Sequence, residues 1–153
     1  MAKGTPATVA LEKAGIPFTL HEYHYDRGVG AQAAQALGIE PARLLKTLMV
    51  GAGGANLCVL VSTDRTVNLK RLAAAVGAKD AALLEPAAAA RATGYHIGGI
   101  SPFGQKKRAR TILDAAAVGF ATVFVNGGRR GLEIEVRPAD LVRVLDAEVM
   151  DVT

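Results

Sequence analysis

Leu45-Lys46-Thr47-Leu48-Met49-Val50-Gly51-Ala52-Gly53-Gly54-Ala55-Asn56-Leu57-Cys58-Val59-Leu60-Val61-Ser62 is the stretch whose reading decides the fold. Residues 46–50 and 57–62 are aliphatic, β-prone runs, and Gly51, Gly53 and Gly54 fall between them. That arrangement predicts an antiparallel hairpin with a flexible connection and places Lys46 near the start of its first strand.

Working outward, Pro41 opens a short turn ahead of the hairpin, and Ala31–Leu37 has a helical pattern closed by Gly38. Phe18–Tyr23 alternates as a strand does. Thr5-Pro6 supplies an N-cap followed by proline at the first helical position, and Gly15 a stop, so Pro6–Ala14 reads as the first helix. Downstream, Asn68 caps a helix over Leu69–Val76, and Pro86 starts an alanine-rich one that ends before Gly94. Ala109–Leu113, Ala121–Asn126 and Leu132–Val136 read as strands, with Gly127-Gly128 in the turn between the last two. Pro138–Leu145 is the final helix, followed by an extension over Glu148–Val152.

Short loops between several neighbouring strands allow only antiparallel pairing, so the expected class is α/β with a mixed sheet. The strand-helix rhythm of a doubly wound fold is missing, as are G-x-G-x-x-G and the P-loop pattern. No repeat, low-complexity linker or charge block divides the 153 residues, and the reading is one domain over 1–153.

Apolar residues make up 50% of the chain, but aromatics only 5% and tryptophan none, so the core is packed from Ala, Val, Leu and Ile. Large aromatic platforms for stacking single-stranded nucleic acid are therefore not expected. No apolar run reaches bilayer length and no secretory leader is visible, which reads as cytoplasmic with no membrane partner. The single cysteine, Cys58, excludes an internal disulfide and a cysteine-cluster zinc site. The net charge is +4, and Lys106, Lys107, Arg108 and Arg110 together equal that excess. So local a patch suggests an anionic partner, with a solvated turn as the simpler alternative.

The usual nucleophile kits are missing. Cys58 sits inside an apolar run and reads as a buried thiol. His21 and His24 are three apart in an extended segment, on opposite faces, and with His96 they define no metal site; no metal and no cofactor are expected. No serine lies in a nucleophile elbow. What remains is Thr93-Gly94-Tyr95-His96-Ile97-Gly98-Gly99-Ile100-Ser101-Pro102-Phe103-Gly104-Gln105-Lys106-Lys107-Arg108, a glycine-dense segment leading into charge. Its glycines allow close approach to backbone N–H groups, Pro102 stiffens the turn, and the cations can meet phosphates; the alternative is a tight structural connection. Asn126-Gly127-Gly128-Arg129-Arg130-Gly131 repeats the mixture of glycine and cations before Glu133 and Glu135. Those two carboxylates share one face of a strand and read as exposed groups on a half-solvated sheet.

Taken together, Leu45-Lys46-Thr47-Leu48, Thr93-Gly94-Tyr95, Gly98 through Lys107 and Gly127-Gly128-Arg129-Arg130-Gly131-Leu132 resemble the YbaK-type aminoacyl-tRNA deacylases, a family related to the editing domain inserted in bacterial prolyl-tRNA synthetases. The resemblance spans nearly the whole chain. It implies a mixed, partly barrel-like sheet surrounded by helices, with the ligand between the lysine strand and the glycine-rich loop. It also implies Lys46 as the essential pocket lysine, and substrate contacts from Tyr23, Thr47, Gly98, Gly99, Ile100, Ser101, Pro102, Asn126, Gly127, Gly128 and Glu133. Lys106, Lys107, Arg108, Arg129 and Arg130 are then the expected tRNA phosphate contacts. The implied partner is mischarged tRNA, tRNA(Pro) first, with no DNA; a transient complex with prolyl-tRNA synthetase is left open. In this family the substrate's own cysteine thiol is thought to attack its ester, which would account for the missing protein nucleophile. Two positions depart from the family pattern: Asn126 stands where serine is common, and Glu133 where aspartate is common. The segment from Asp26 to Gln35 is also short.

Overall fold

The computed structural model describes residues 4–24 and 32–153. Ala31 and most of the short 26–35 segment lie outside the described residues. The chain runs α1 (Pro6–Ala14), β1 (Thr19–Glu22), α2 (Gln32–Leu37), a 3-10 turn (Pro41–Arg43), β2 (Leu45–Ala52), β3 (Ala55–Ser62), α3 (Leu69–Ala75), β4 (Ala81–Leu83) and α4 (Pro86–Thr93). It continues through β5 (Arg110–Asp114), a second 3-10 turn (Ala115–Gly119), β6 (Val123–Asn126), β7 (Leu132–Val136), α5 (Pro138–Leu145) and β8 (Glu148–Met150).

The hairpin forms as expected, with β2 and β3 antiparallel from Leu45↔Ser62 to Ala52↔Ala55. Its turn is tighter than the glycine spacing suggests. Only Gly53 and Gly54 are needed for it, with φ of 60° and 79°, the pair of positive angles that a two-residue type I′ turn demands. Gly51 and Ala52 therefore belong to the strand. β3 lies in the middle of a five-stranded sheet ordered β4-β2-β3-β5-β8, and both of its faces are covered. Cys58 and Leu60 enter one apolar cluster, and Leu57, Val59 and Val61 the other. That is why residues 57–61 form an unbroken apolar run rather than an alternating one.

β5 and β8 pair in parallel, β5 against β3 and β8 against β5. β1, β7 and β6 form a second, antiparallel sheet with β7 in the centre. The two sheets meet where Leu44 bridges Phe124 in parallel, which gives a bent, partly barrel-like surface that does not close. Helix caps follow the local sequence: Thr5 and Thr8 exchange side-chain to backbone hydrogen bonds in a capping box, Gly15 closes α1 at φ 69°, and Asn68 accepts from Arg71 N.

Two strands were not foreseen. Ala81–Leu83 carries no β-branched residue and is a strand because β2 offers its edge, with Val50 opposite Leu83. Glu148–Met150, expected as a plain extension, is recruited by β5. Asp114, 1% exposed, then accepts hydrogen bonds from Val152 N and Thr153 Oγ1 and ties down the end of the chain.

Candidate functional site

The outer face of the three-stranded sheet holds the carboxylates. Glu133 is opposed by His21 on β1 and by Asn126 on β6, and directly opposed residues share a face. Contrary to the exposed pair that alternation suggested, Glu133 is only 4% exposed. Phe124, on the same face of β6 as Asn126, packs with Leu44 and with Ala33 and Ala34 of α2, joined by Tyr23, Leu37 and Ile39. Burial pushes the Glu133 carboxyl up to about 8, against a smaller opposing effect of its hydrogen bond with the Asn126 amide.

Glu135, two residues on, has the opposite environment. Thr122 Oγ1 donates to it at 2.5 Å, His21 Nε2 lies 2.9 Å away and Arg43 Nη2 3.5 Å away. Its carboxyl is held below the usual range, first by the Thr122 hydrogen bond and then by His21 and Arg43. Arg43 also stacks on the Phe124 ring at 5.1 Å, which fixes the approach to β2. These anchoring residues, His21, Arg43 and Thr122, carry no joint signal in the sequence because they come from three separate stretches of chain.

Lys46 reaches this face through the bridge between sheets. Leu44 and Phe124 are paired, and two residues further along each strand stand Lys46 and Asn126, so alternation sets both on the face that carries Glu133. The Lys46 ammonium donates to Arg65 O at 2.7 Å, in the turn after β3. Thr47 alternates to the opposite face with Leu45 and Met49, which lie in the central core. Its hydroxyl is buried without a hydrogen-bond partner, and its side chain is therefore not brought together with that of Lys46.

The two glycine loops lock into each other. A Cβ on Gly99 would stand 3.0 Å from Arg129 Cα, and one on Gly98, at φ 89°, would meet the Arg130 guanidinium. Asn126 joins the loops from below: its Nδ2 donates to Arg129 O at 3.1 Å and to Gly98 O at 3.4 Å, and its Oδ1 accepts from Gly128 N at 2.7 Å. Arg130 donates to Ile97 O. Ile100, Ser101, Pro102 and Phe103 are buried, so this half of the loop is core as well as rim. Tyr95 OH donates to Phe103 O at 2.7 Å and Gln105 Nε2 to Ser101 O at 3.0 Å, which holds the segment closed. Gly99 N–H is given to His96 O; Gly98 is exposed, whereas Ile100 and Ser101 are enclosed.

The cations border these loops. Lys106, Lys107 and Arg108 are exposed, with the amides of Lys106 and Lys107 bonded to Thr93 O and Ala92 O at the end of α4. Arg129 and Arg130 are also exposed; Arg129 lies 3.7 Å from Glu22. A cleft of about 240 Å³ opens on the far side of the loop, against Ala10, Arg108 and Leu145, and does not include Lys46, Asn126 or Glu133. Cys58 is 1% exposed and burial pushes its thiol up to about 12, which leaves it inert.

The fold is a mixed two-sheet one, with Lys46, Asn126 and Glu133 set on one side beside a glycine loop. Residues 28–144 match the family model of the aminoacyl-tRNA editing domain, and the chain belongs to that family. The activity class is deacylation of mischarged tRNA. "Putative Cys-tRNA(Pro)/Cys-tRNA(Cys) deacylase EbsC" from Enterococcus faecalis is 30% identical over 97% of this chain and 93% of its own length. A proline–tRNA ligase of Acidithiobacillus ferrooxidans is 33% identical over 60% of this chain, which corresponds to 16% of the ligase. Among solved structures, a "putative trans-editing enzyme for prolyl tRNA synthetase" superposes with a TM-score of 0.90 at 25% identity, covering 99% of both chains. The resemblance drawn from the motifs is thus borne out at the level of family and fold. No helix among the described residues is long and apolar enough to cross a membrane.

Proposed function

We propose that this chain, acting as one editing domain over 1–153, clears mischarged tRNA(Pro) in trans, with cysteinyl-tRNA(Pro) as its first substrate. The observation that carries this reading is that Lys46 on one sheet and Asn126 and Glu133 on the other share a side at the Leu44–Phe124 junction, with Asn126 hydrogen-bonded to the Gly98 carbonyl. Lys46, a compact and mobile charge, holds the phosphate or ribose end of the terminal adenosine. Amides of Gly98, Ile100 and Ser101 face the ester oxygen, where they stabilise the developing oxyanion. Tyr23 and Asn126 bound the aminoacyl group. Lys106, Lys107, Arg108, Arg129 and Arg130 take the tRNA backbone.

The inert Cys58 fits a reaction in which the protein supplies no nucleophile. The cysteinyl thiol attacks its own ester carbonyl, and the site contributes orientation. Such proximity can lower a barrier by roughly 7–11 kcal/mol. Names carried by the relatives support the substrate: the Enterococcus protein is named for Cys-tRNA(Pro), and the structural relative for prolyl-tRNA synthetase.

Multiple-turnover assays on cysteinyl-, alanyl- and seryl-tRNA(Pro) test the reading. Cleavage of the cysteinyl ester is expected, and Lys46→Ala removes most of it while the circular dichroism spectrum is unchanged. Binding of tRNA without turnover of any of the three esters would contradict a deacylase.

A further inference from the structure

We propose that Glu133 is the general base of this site, taking the proton from a water molecule that attacks the aminoacyl ester, so that esters without a side-chain nucleophile are cleaved as well. The proposal rests on the deacylase reading above. It assigns a catalytic residue to the water-attack route.

Glu133 lies on the central strand of its sheet, between β1 and β6, so its backbone is fixed from both sides. Asn126, opposite it, hydrogen-bonds to the Gly98 carbonyl, so one side chain separates the carboxyl from the glycine loop. Among the described residues no cation lies within ion-pair distance of Glu133, whereas Glu135 on the same face is 2.9 Å from His21 and 3.5 Å from Arg43. A buried carboxyl with no cation costs stability that glutamine or an apolar residue of like size would not, so a purely structural role explains it poorly.

Tyr23, just past β1, packs with Phe124 on this side. β1 contributes His21, committed to Glu135; β2 contributes Lys46, whose ammonium is on Arg65 O; β7 contributes Glu135 itself. Arg43, ahead of β2, is held by Thr122 and Glu135. β6 offers Asn126 and Phe124, the described side chains of α2 on this face are apolar, and Arg129 and Arg130 flank the loop. In these surroundings burial keeps the carboxyl near the pH at which it must work, where a general base is most effective.

The step balances without another reactant. Glu133 carboxylate removes a proton from water as the water oxygen bonds to the ester carbonyl carbon. The oxyanion so formed faces the amides of Gly98, Ile100 and Ser101. Collapse breaks the carbon–oxygen bond to the terminal ribose, and the proton on Glu133 passes to the departing ribose oxygen. The products are the free amino acid and tRNA with its hydroxyl restored, and the carboxylate is regenerated.

Single-turnover cleavage of alanyl- and cysteinyl-tRNA(Pro) by the full chain, Glu133→Gln and Glu133→Asp, measured across pH 5.5 to 9, tests this. Wild type is expected to cleave both esters. Glu133→Gln should slow alanyl cleavage by about 100-fold or more and flatten its rise with pH. Its cysteinyl cleavage should fall by roughly tenfold at most, because a thiol ionises near neutral pH by itself. Glu133→Asp keeps the carboxyl and should restore the alanyl pH profile. Equal losses on both esters in a variant that still folds and binds tRNA would overturn the proposal, as would an unchanged alanyl rate. Wild type that cleaves only the cysteinyl ester also overturns it and leaves the deacylase reading standing; inertness toward both esters removes that reading too.

Discussion

Glu133 and Glu135 show how little a residue's chemistry follows from its spacing. Both sit on the same face of β7, yet one carboxyl is raised to about 8 by burial and the other lowered by Thr122, His21 and Arg43. The raised value has a thermodynamic consequence. Between the ordinary carboxyl value of 4.5 and about 8, folded Glu133 keeps a proton that the unfolded chain releases, so its contribution to stability is lost as pH climbs through that window. The slope is about 1.4 kcal/mol per pH unit at most. Denaturant midpoints of wild type and Glu133→Gln should therefore diverge from pH 5 to 8, the glutamine variant becoming the more stable. Parallel curves would show that Glu133 titrates normally.

At the scale of elements, the two glycine loops act as one unit. Gly99 is needed because a side chain there meets the Arg129 backbone, and the Tyr95 hydroxyl clasps the segment by bonding Phe103 O. Tyr95→Phe removes that clasp and leaves a carbonyl unpaired in the core, a cost of roughly 1–3 kcal/mol. We expect a lower melting temperature and faster amide hydrogen exchange over residues 96–104, with the strands unaffected; uniform exchange would contradict a local clasp. Local signals made many elements legible. Pro138 and Pro6 at helix starts, Gly15 and Gly94 at helix ends, and the Leu132–Val136 alternation each act within a few residues. β4 and β8 could not be read this way, since each is a strand only because a neighbour's edge is open to it. The burial of Glu133 was hidden for a related reason: the apolar cluster on its side of the sheet joins Phe124 to α2 and Leu44, which come much earlier in the chain.

For the whole molecule, the proposed site lies where the two sheets meet, and neither sheet contains it alone. Lys46 comes from one, Asn126 and Glu133 from the other, and the Leu44–Phe124 bridge sets them in register. The motifs signalled Lys46 and the loops, but only the assembled fold shows that Thr47 faces away and that Glu133 is enclosed. The exposed cations lie outside this junction, in keeping with a backbone-binding rim. Replacing Lys106 and Lys107 by alanine should weaken tRNA binding in filter assays. It should also shallow the dependence of log affinity on log salt by roughly 0.7–0.9 for each phosphate that is no longer neutralised. An unchanged slope would assign these lysines to the protein surface alone. The central claim is tested most directly by the initial rate of multiple-turnover deacylation of cysteinyl-tRNA(Pro), wild type against Lys46→Ala. The account predicts turnover by wild type and loss of most of it in a folded Lys46→Ala variant; equal rates for the two proteins, or none for wild type, would contradict it.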